Sequence, residues 1–122
     1  MRILADENIP YAREAFSTLG EVRVSAGRAI SRSDLADIDL LMIRSQTNVT
    51  AALVEGTPVR LVTTATSGSD HVREEDLQRL GIPFYAALGC NANSVAEFMV
   101  ASWLTLARRT GVTLRALSLI HI

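Results

Sequence analysis

Two polar runs in this chain carry residue types able to do chemistry: Arg44-Ser45-Gln46-Thr47, and Thr63-Thr64-Ala65-Thr66-Ser67-Gly68-Ser69-Asp70-His71. In the first, a guanidinium and two hydroxyls close an apolar run, a combination suited to a phosphate or carboxylate. In the second, small hydroxylated residues surround a glycine after a β-branched run, and such a loop can aim N–H groups and hydroxyls at an anion. Each has a plainer alternative. Arg44 could pair with a nearby acid while Ser45 caps the next helix. The second run could be an ordinary turn, with Gly68 at positive φ and Asp70 bonding back to the main chain. A third run, Gly89-Cys90-Asn91-Ala92-Asn93-Ser94, precedes a long apolar stretch, where Asn or Ser would cap a helix whose free N–H groups suit a phosphate. Nearly every helix has such an end. Cys90 is expected to be a small packed thiol, Glu97 a capping or arginine-paired carboxylate, and His71 a structural residue whose side chain diverges from Asp70. His121 stands in the last two residues and is given no role.

Composition limits the other possibilities. With 122 residues, 48% of them hydrophobic, the chain suffices for one ordinary domain and is too short for two. A formal net charge of -1 offers no broad positive field, so neither nucleic acid nor an anionic membrane is an expected partner. Apart from the histidines every basic residue is arginine, and without lysine no Schiff base or lysine general base is available. The single cysteine excludes an internal disulfide and a cysteine zinc cluster, which suits a cytoplasmic location. Acidic residues arrive at Asp6-Glu7, too soon for a secretory apolar region, and Val95 to Ala107 is shorter than the roughly 20 residues of a membrane span. No Gly-x-Gly occurs, so the dinucleotide fingerprint is missing, and no metal-ligand spacing or Gly-x-Ser-x-Gly nucleophile turn is present.

The elements that must hold these runs follow from periodicity. Arg2 to Ala5 is a short apolar run; Pro10 then opens a helical pattern through Ala12, Ala15, Phe16 and Leu19 that stops at Gly20. Glu21 to Ser25 alternates, Ser31 and Ser33 can cap a short helix around Leu35, and Asp39 to Arg44 is apolar with a polar end. Asn48 to Leu53 is weakly helical, Arg60 to Ala65 β-branched, Glu74 to Leu80 amphipathic before Gly81, and Pro83 to Ala86 a last short strand. Such alternation predicts an α/β fold, a parallel sheet covered on both faces in the flavodoxin-like doubly wound order. Ligands of such sheets sit beyond the carboxyl ends of the strands, which selects the loops after Ala5, Ile43 and Ala65. The boundary is expected near Gly89, before a long helix.

With the elements placed, the residues also carry a resemblance. Ile3-Leu4-Ala5-Asp6-Glu7-Asn8-Ile9-Pro10-Tyr11-Ala12, Met42-Ile43-Arg44-Ser45, Thr64-Ala65-Thr66-Ser67-Gly68-Ser69-Asp70-His71-Val72 and Gly89-Cys90-Asn91-Ala92 stand in the order found in D-2-hydroxyacid dehydrogenases. Within that superfamily the opening Asp-Glu-Asn-x-Pro-Tyr-Ala and the Gly-Cys-Asn segment resemble the erythronate-4-phosphate dehydrogenase family, from Met1 to about Gly111. The resemblance implies NAD-dependent oxidation of 4-phospho-D-erythronate to 3-hydroxy-2-oxo-4-phosphobutanoate, a step in pyridoxal phosphate (vitamin B6) synthesis. It implies Ser45 and Thr66 as substrate-binding residues, with Arg44 and Gly68 as neighbouring candidates, and a homodimer at full length.

The same resemblance assigns the catalytic arginine and Glu-His pair, and the cofactor-binding residues, to later sequence, so this chain is expected to hold no catalytic, cofactor-binding or metal residue and to be inactive alone. It divides the chain into a substrate-binding part at 1–90, a crossing helix at 91–111 and a tail at 112–122. Leu117 to Ile122 does not match the strand and glycine fingerprint expected next, so the tail reads as foreign and the dinucleotide-binding Rossmann domain as absent. An uncovered apolar helix face would follow. Two alternatives stay open: a dehydrogenase for another 2-hydroxy acid such as 3-phosphoglycerate, and a flavodoxin-like signalling module. The latter needs an aspartate ending the third strand and a lysine near the fifth, where this chain has Arg44-Ser45 and no lysine.

Overall fold

Leu40-Leu41-Met42-Ile43 contains no polar side chain, and a strand of that kind must bury both of its faces. In the computed structural model, which describes residues 1–108, this segment is the central strand of a five-stranded sheet. The strands are β1 (Arg2–Asp6), β2 (Glu21–Ser25), β3 (Leu40–Ile43), β4 (Leu61–Thr64) and β5 (Phe84–Ala86). Every pairing is parallel and the order is β2-β1-β3-β4-β5, the flavodoxin-like order expected from the sequence.

Successive residues of a strand face opposite ways, and two cores result. On one side Leu41 and Ile43, with Leu4 and Val62, pack against Leu35, Val54 and Leu77 from the connections. On the other, Leu40 and Met42, with Ile3, Ala5 and Val22, meet Ala12 and the half-buried Ile9 and Phe16. The connections are α1 (Ala12–Phe16), two 3-10 turns at Gly27–Ala29 and Arg32–Leu35, α2 (Ala51–Val54) and α3 (Glu74–Arg79). The short helix anticipated around Leu35 is thus a 3-10 turn, opened by Ser31 and Asp34 in a capping box. The helix after Pro10 is shorter than its pattern, ending at Phe16 rather than Leu19.

Helices this short need help from their neighbours. Thr50, at the start of α2, makes no side-chain cap; instead Asp76 of α3 reaches across and accepts the Ala51 N–H at 2.8 Å. α3 itself opens on Glu74-Glu75-Asp76, charges that suit the positive end of its dipole, and stops before Gly81 at φ 68. Gly20 has a different reason to lack a side chain. A Cβ there would lie 1.9 Å from the Met1 carbonyl oxygen, which accepts the Glu21 N–H at 3.0 Å where β1 and β2 begin.

Met1–Leu88 forms one compact unit and a second begins at Gly89. The described part of the second is dominated by α4 (Ala92–Arg108), which starts three residues before the expected Val95, so Asn93 and Ser94 lie inside it. No described helix is long and apolar enough to cross a membrane. Val95, Met99, Val100, Trp103, Leu104 and Leu106 are exposed on it. Residues 109–111 of the expected crossing helix, the tail 112–122 and His121 lie outside the described residues.

Leu41 has no solvent exposure and sits at the centre of the larger core. Leu41→Ala is expected to cost about 2–5 kcal/mol of unfolding free energy, as cavity-forming core truncations do. Urea denaturation followed by far-UV circular dichroism checks this, with Val24→Ala at the exposed sheet edge as the near-neutral control.

Candidate functional site

Parallel pairing brings the strand ends to one edge, and the register there is specific. Ile43 pairs with Thr64 and the Ala65 N–H donates to the Ile43 carbonyl at 2.9 Å. Ser45 and Thr66 therefore each stand two residues past the last matched pair, in the loops that follow neighbouring strands. The sheet order reverses between β1 and β3, and the crevice outside the strand ends at such a point is where this architecture receives ligands. Arg44 spans it: its Nη1 donates to the Asn8 carbonyl at 3.3 Å, joining the loop after β3 to the loop after β1. Arg44 forms no ion pair with the described residues, which overturns the acid-paired alternative. A guanidinium has five donors, so four remain beyond the bond to Asn8. Ser45 is exposed, and α2 does not begin until Ala51, so Ser45 is not its cap.

Beneath this edge three strand-end loops are knotted together by Asp6, Gly27 and Thr47, of which Gly27 was not singled out by any sequence pattern. Asp6 is 1% exposed, and its Oδ1 accepts the Asn8 main-chain N–H at 2.8 Å and the Asn8 side-chain amide at 3.1 Å. That is a carboxylate bonding its own chain two residues on, which turns β1 into the crevice. Thr47, 3% exposed, donates its hydroxyl to the Gly27 carbonyl at 2.9 Å. Gly27 touches both: a Cβ there would fall 2.2 Å from Asp6 Oδ2 and 3.0 Å from Thr47 Oγ1. The loops after β1, β2 and β3 thus close on a position where no side chain fits.

The second polar run is tied by its hydroxyls. Thr64, 3% exposed at the end of β4, has its Oγ1 2.7 Å from Thr66 Oγ1 and 3.1 Å from His71 Nε2. Thr66 in turn donates to the Gly68 carbonyl at 3.2 Å. The loop is therefore more than an ordinary turn, and Gly68 is not among the positive-φ residues, so the turn alternative loses its reason for a glycine there. A Cβ on Gly68 would meet nothing within 4 Å. His71, expected to be merely structural, reaches the same hydroxyl network as Thr66. Thr64 is the last residue of β4 and Thr66 lies in the bend after it, so strand alternation alone does not foretell that their hydroxyls meet. Burial pushes the His71 imidazole below its ordinary value, with Asp70 opposing the shift.

Other features carry less. An open groove of about 480 Å³ is lined by Asp70, Glu74, Glu75 and Asp76 together with Ser69, Val72 and Arg73; four carboxylates against one guanidinium make it hostile to an anion. Cys90 is exposed, which corrects the expectation of a packed thiol: it lies in the turn Gly89–Asn91 before α4, where no core forms around it. Glu97 is also exposed on α4 and makes no ion pair with the described residues.

Two outcomes follow from this geometry. Gly27→Ala must displace Asp6 or Thr47 and should destabilise the chain by about 1–3 kcal/mol, as overpacking does; its urea midpoint, compared with the parent chain, measures this. The second concerns pH. Because the folded His71 binds its proton less readily than the unfolded chain does, its contribution to stability is complete above the ordinary value of 6.5 and is lost as pH falls through the lower folded value. Unfolding free energy should fall on acidification below about pH 6.5, and more steeply for the parent chain than for His71→Gln, when urea curves are compared between about pH 5 and 7.5.

Comparison with known proteins agrees with the architecture. A family model described as D-isomer specific 2-hydroxyacid dehydrogenase, catalytic domain, matches residues 3–120. Erythronate-4-phosphate dehydrogenase of Escherichia fergusonii is 54% identical over 114 residues, covering 93% of this chain and 30% of that protein. The chain thus spans about 30% of the length of the relatives it matches. D-lactate dehydrogenase from Aquifex aeolicus, complexed with NAD and lactic acid, superposes with a TM-score of 0.70 at 22% identity over 85% of this chain and 33% of that one. NAD-bound 3-phosphoglycerate dehydrogenase of Entamoeba histolytica gives 0.70 at 22% identity, over 86% and 38%. These two likenesses are of fold. The β2-β1-β3-β4-β5 sheet and a family match from residue 3 to residue 120 lead to one assignment: the chain belongs to the D-isomer specific 2-hydroxyacid dehydrogenase catalytic-domain family.

Proposed function

We propose that this chain forms the substrate-holding part of an NAD-dependent dehydrogenase that oxidises 4-phospho-D-erythronate at its 2-hydroxyl, in pyridoxal phosphate synthesis. The observation that supports the reading is the strand-end register: Ile43 pairs with Thr64, so Ser45 and Thr66 each come two residues after the ends of neighbouring strands, and Arg44 at the first of these ends bonds the Asn8 carbonyl. Two hydroxyls and a guanidinium with free donors suit a ligand bearing both a carboxylate and a phosphate. Their work is positioning: oriented donors hold the substrate so that one face of its reacting carbon is presented. The choice of substrate is supported by the 54% identity to erythronate-4-phosphate dehydrogenase, against 22% to the 3-phosphoglycerate enzyme. Gly68, whose carbonyl accepts from Thr66, belongs to the site through that bond.

The residues present do not fit NAD. The loop after β1 runs Asp6-Glu7-Asn8-Ile9-Pro10-Tyr11, with a buried carboxylate and a proline where a pyrophosphate needs glycine N–H groups, and α1 follows Tyr11 at φ 58 with no side-chain cap. Hydride acceptance and proton transfer therefore lie outside what this chain does in the proposal. It holds the substrate, within a homodimer that assembles at full length.

The 122-residue chain alone is expected to show no NAD-dependent turnover of 4-phospho-D-erythronate, measured as reduced-nicotinamide absorbance, and no tight NAD binding by calorimetry. Turnover by the pure chain would overturn the reading. When the chain is joined to the remaining part of the E. fergusonii relative, Ser45→Ala and Thr66→Ala should each lower kcat/KM by about 10- to 100-fold with NAD affinity unchanged, the loss expected of a hydrogen bond to a charged group. Unaltered kinetics in both would remove these residues from the site.

A further inference from the structure

The hydroxyls of Thr64 and Thr66 and the His71 ring form a chain of three bonds, and counting protons leaves one arrangement that satisfies all three. A carbonyl oxygen can only accept, so the single Thr66 proton goes to Gly68 in the 3.2 Å bond. Thr66 must then accept in its 2.7 Å contact with Thr64, which uses the only Thr64 proton. Thr64 is left to accept in its 3.1 Å contact with His71, so Nε2 of His71 must carry hydrogen. The direction runs His71 Nε2–H to Thr64 to Thr66 to Gly68. With the opposite tautomer Thr64 would donate to the ring, and Thr66 would turn its proton inward to Thr64 and show lone pairs to the crevice.

We propose that His71 is a positioning residue which, through the buried Thr64 hydroxyl, holds Thr66 as a hydrogen-bond donor toward an oxyanion of the substrate at the strand ends. The Thr66 proton exchanges its acceptor, from the Gly68 carbonyl to the ligand oxygen, while the two inner bonds stay in place. No bond is made or broken beyond these hydrogen bonds. Thr64 suits the relay because it is only 3% exposed, whereas Thr66 stands half-buried at the edge. The proposal rests on the reading of Thr66 as a substrate contact, and it adds the residue that gives this contact its polarity.

Two measurements separate the relay from the site beneath it. The first is the ¹⁵N spectrum of the imidazole rings of the 122-residue chain near neutral pH, with His121→Gln removing the second histidine signal. His71 should show the Nε2–H tautomer; a dominant Nδ1–H tautomer overturns the relay. The second is binding of 4-phospho-D-erythronate, followed by amide shifts in the same chain. Thr66→Ala and His71→Phe should each weaken it about tenfold, with the double variant no weaker than Thr66→Ala alone. His71→Gln, whose amide can donate in place of Nε2–H, should bind within about threefold of the parent, and Thr64→Val should match His71→Phe although it leaves the ring intact. Additive losses, or a glutamine variant as weak as phenylalanine, overturn the relay even where Thr66→Ala binds poorly. Parent-level binding by Thr66→Ala, or none by the parent chain, overturns the substrate contact and the relay with it. An unchanged amide spectrum in regions remote from residues 64–71 guards against misfolding. If His71→Phe does not fold, the comparison of His71→Gln with Thr64→Val decides between relay and no relay.

Discussion

Everything at the crevice depends on β3 being buried on both faces. A strand with Leu40 and Met42 on one side and Leu41 and Ile43 on the other can exist only with packed layers above and below it, and parallel neighbours supply that environment. Such burial leaves no room for a polar side chain within the strand. Arg44, Ser45 and Thr47 are consequently displaced past its end, whereas β1 and β4 carry a buried polar residue at their last position, Asp6 and Thr64, with Asn8 and Thr66 two residues beyond. The polar edge is what the apolar interior leaves over.

A row of strand ends is not yet a site, since the loops must be held in fixed relation. Asp6, Gly27 and Thr47 do this by mutual exclusion as much as by bonding. The carboxylate and the hydroxyl fill the space a side chain on residue 27 would take, and the Gly27 carbonyl accepts from Thr47. Burying Asp6 is tolerable because two N–H donors from Asn8 satisfy one of its oxygens. Arg44 then closes the upper side through the Asn8 carbonyl, so one asparagine links the buried carboxylate to the guanidinium at the mouth.

The sheet was legible in the sequence because its information is local. Unbroken apolar runs in β1 and β3 report burial directly, period-two alternation marks Glu21 to Ser25 as a strand although only Val22 of it is buried, and the topology follows from repeated strand and helix patterns. Arg44 and Ser45 were legible as polar residues closing an apolar run and Thr66 as part of the hydroxylated run after β4, while the choice of Ser45 and Thr66 within those runs came from the family resemblance. What was not legible depends on partners distant in the chain: Thr47 meets Gly27 across 20 positions, and Arg44 meets Asn8 across 36. No periodicity encodes such meetings. The helix around Leu35 became a 3-10 turn and the packed Cys90 became an exposed one for the same reason, because tertiary surroundings decide both.

The close approach of Gly20 to the Met1 carbonyl has a practical meaning for anyone wishing to tether the molecule. Met1 sits where β1 and β2 begin, while the crevice opens where β1 ends, five strand residues of about 3.3 Å away, or roughly 16 Å. A linker fused ahead of Met1 departs from the floor of the sheet and leaves the strand-end loops facing solution. A surface-immobilised or dye-labelled chain built from that end would keep the crevice open to its ligand.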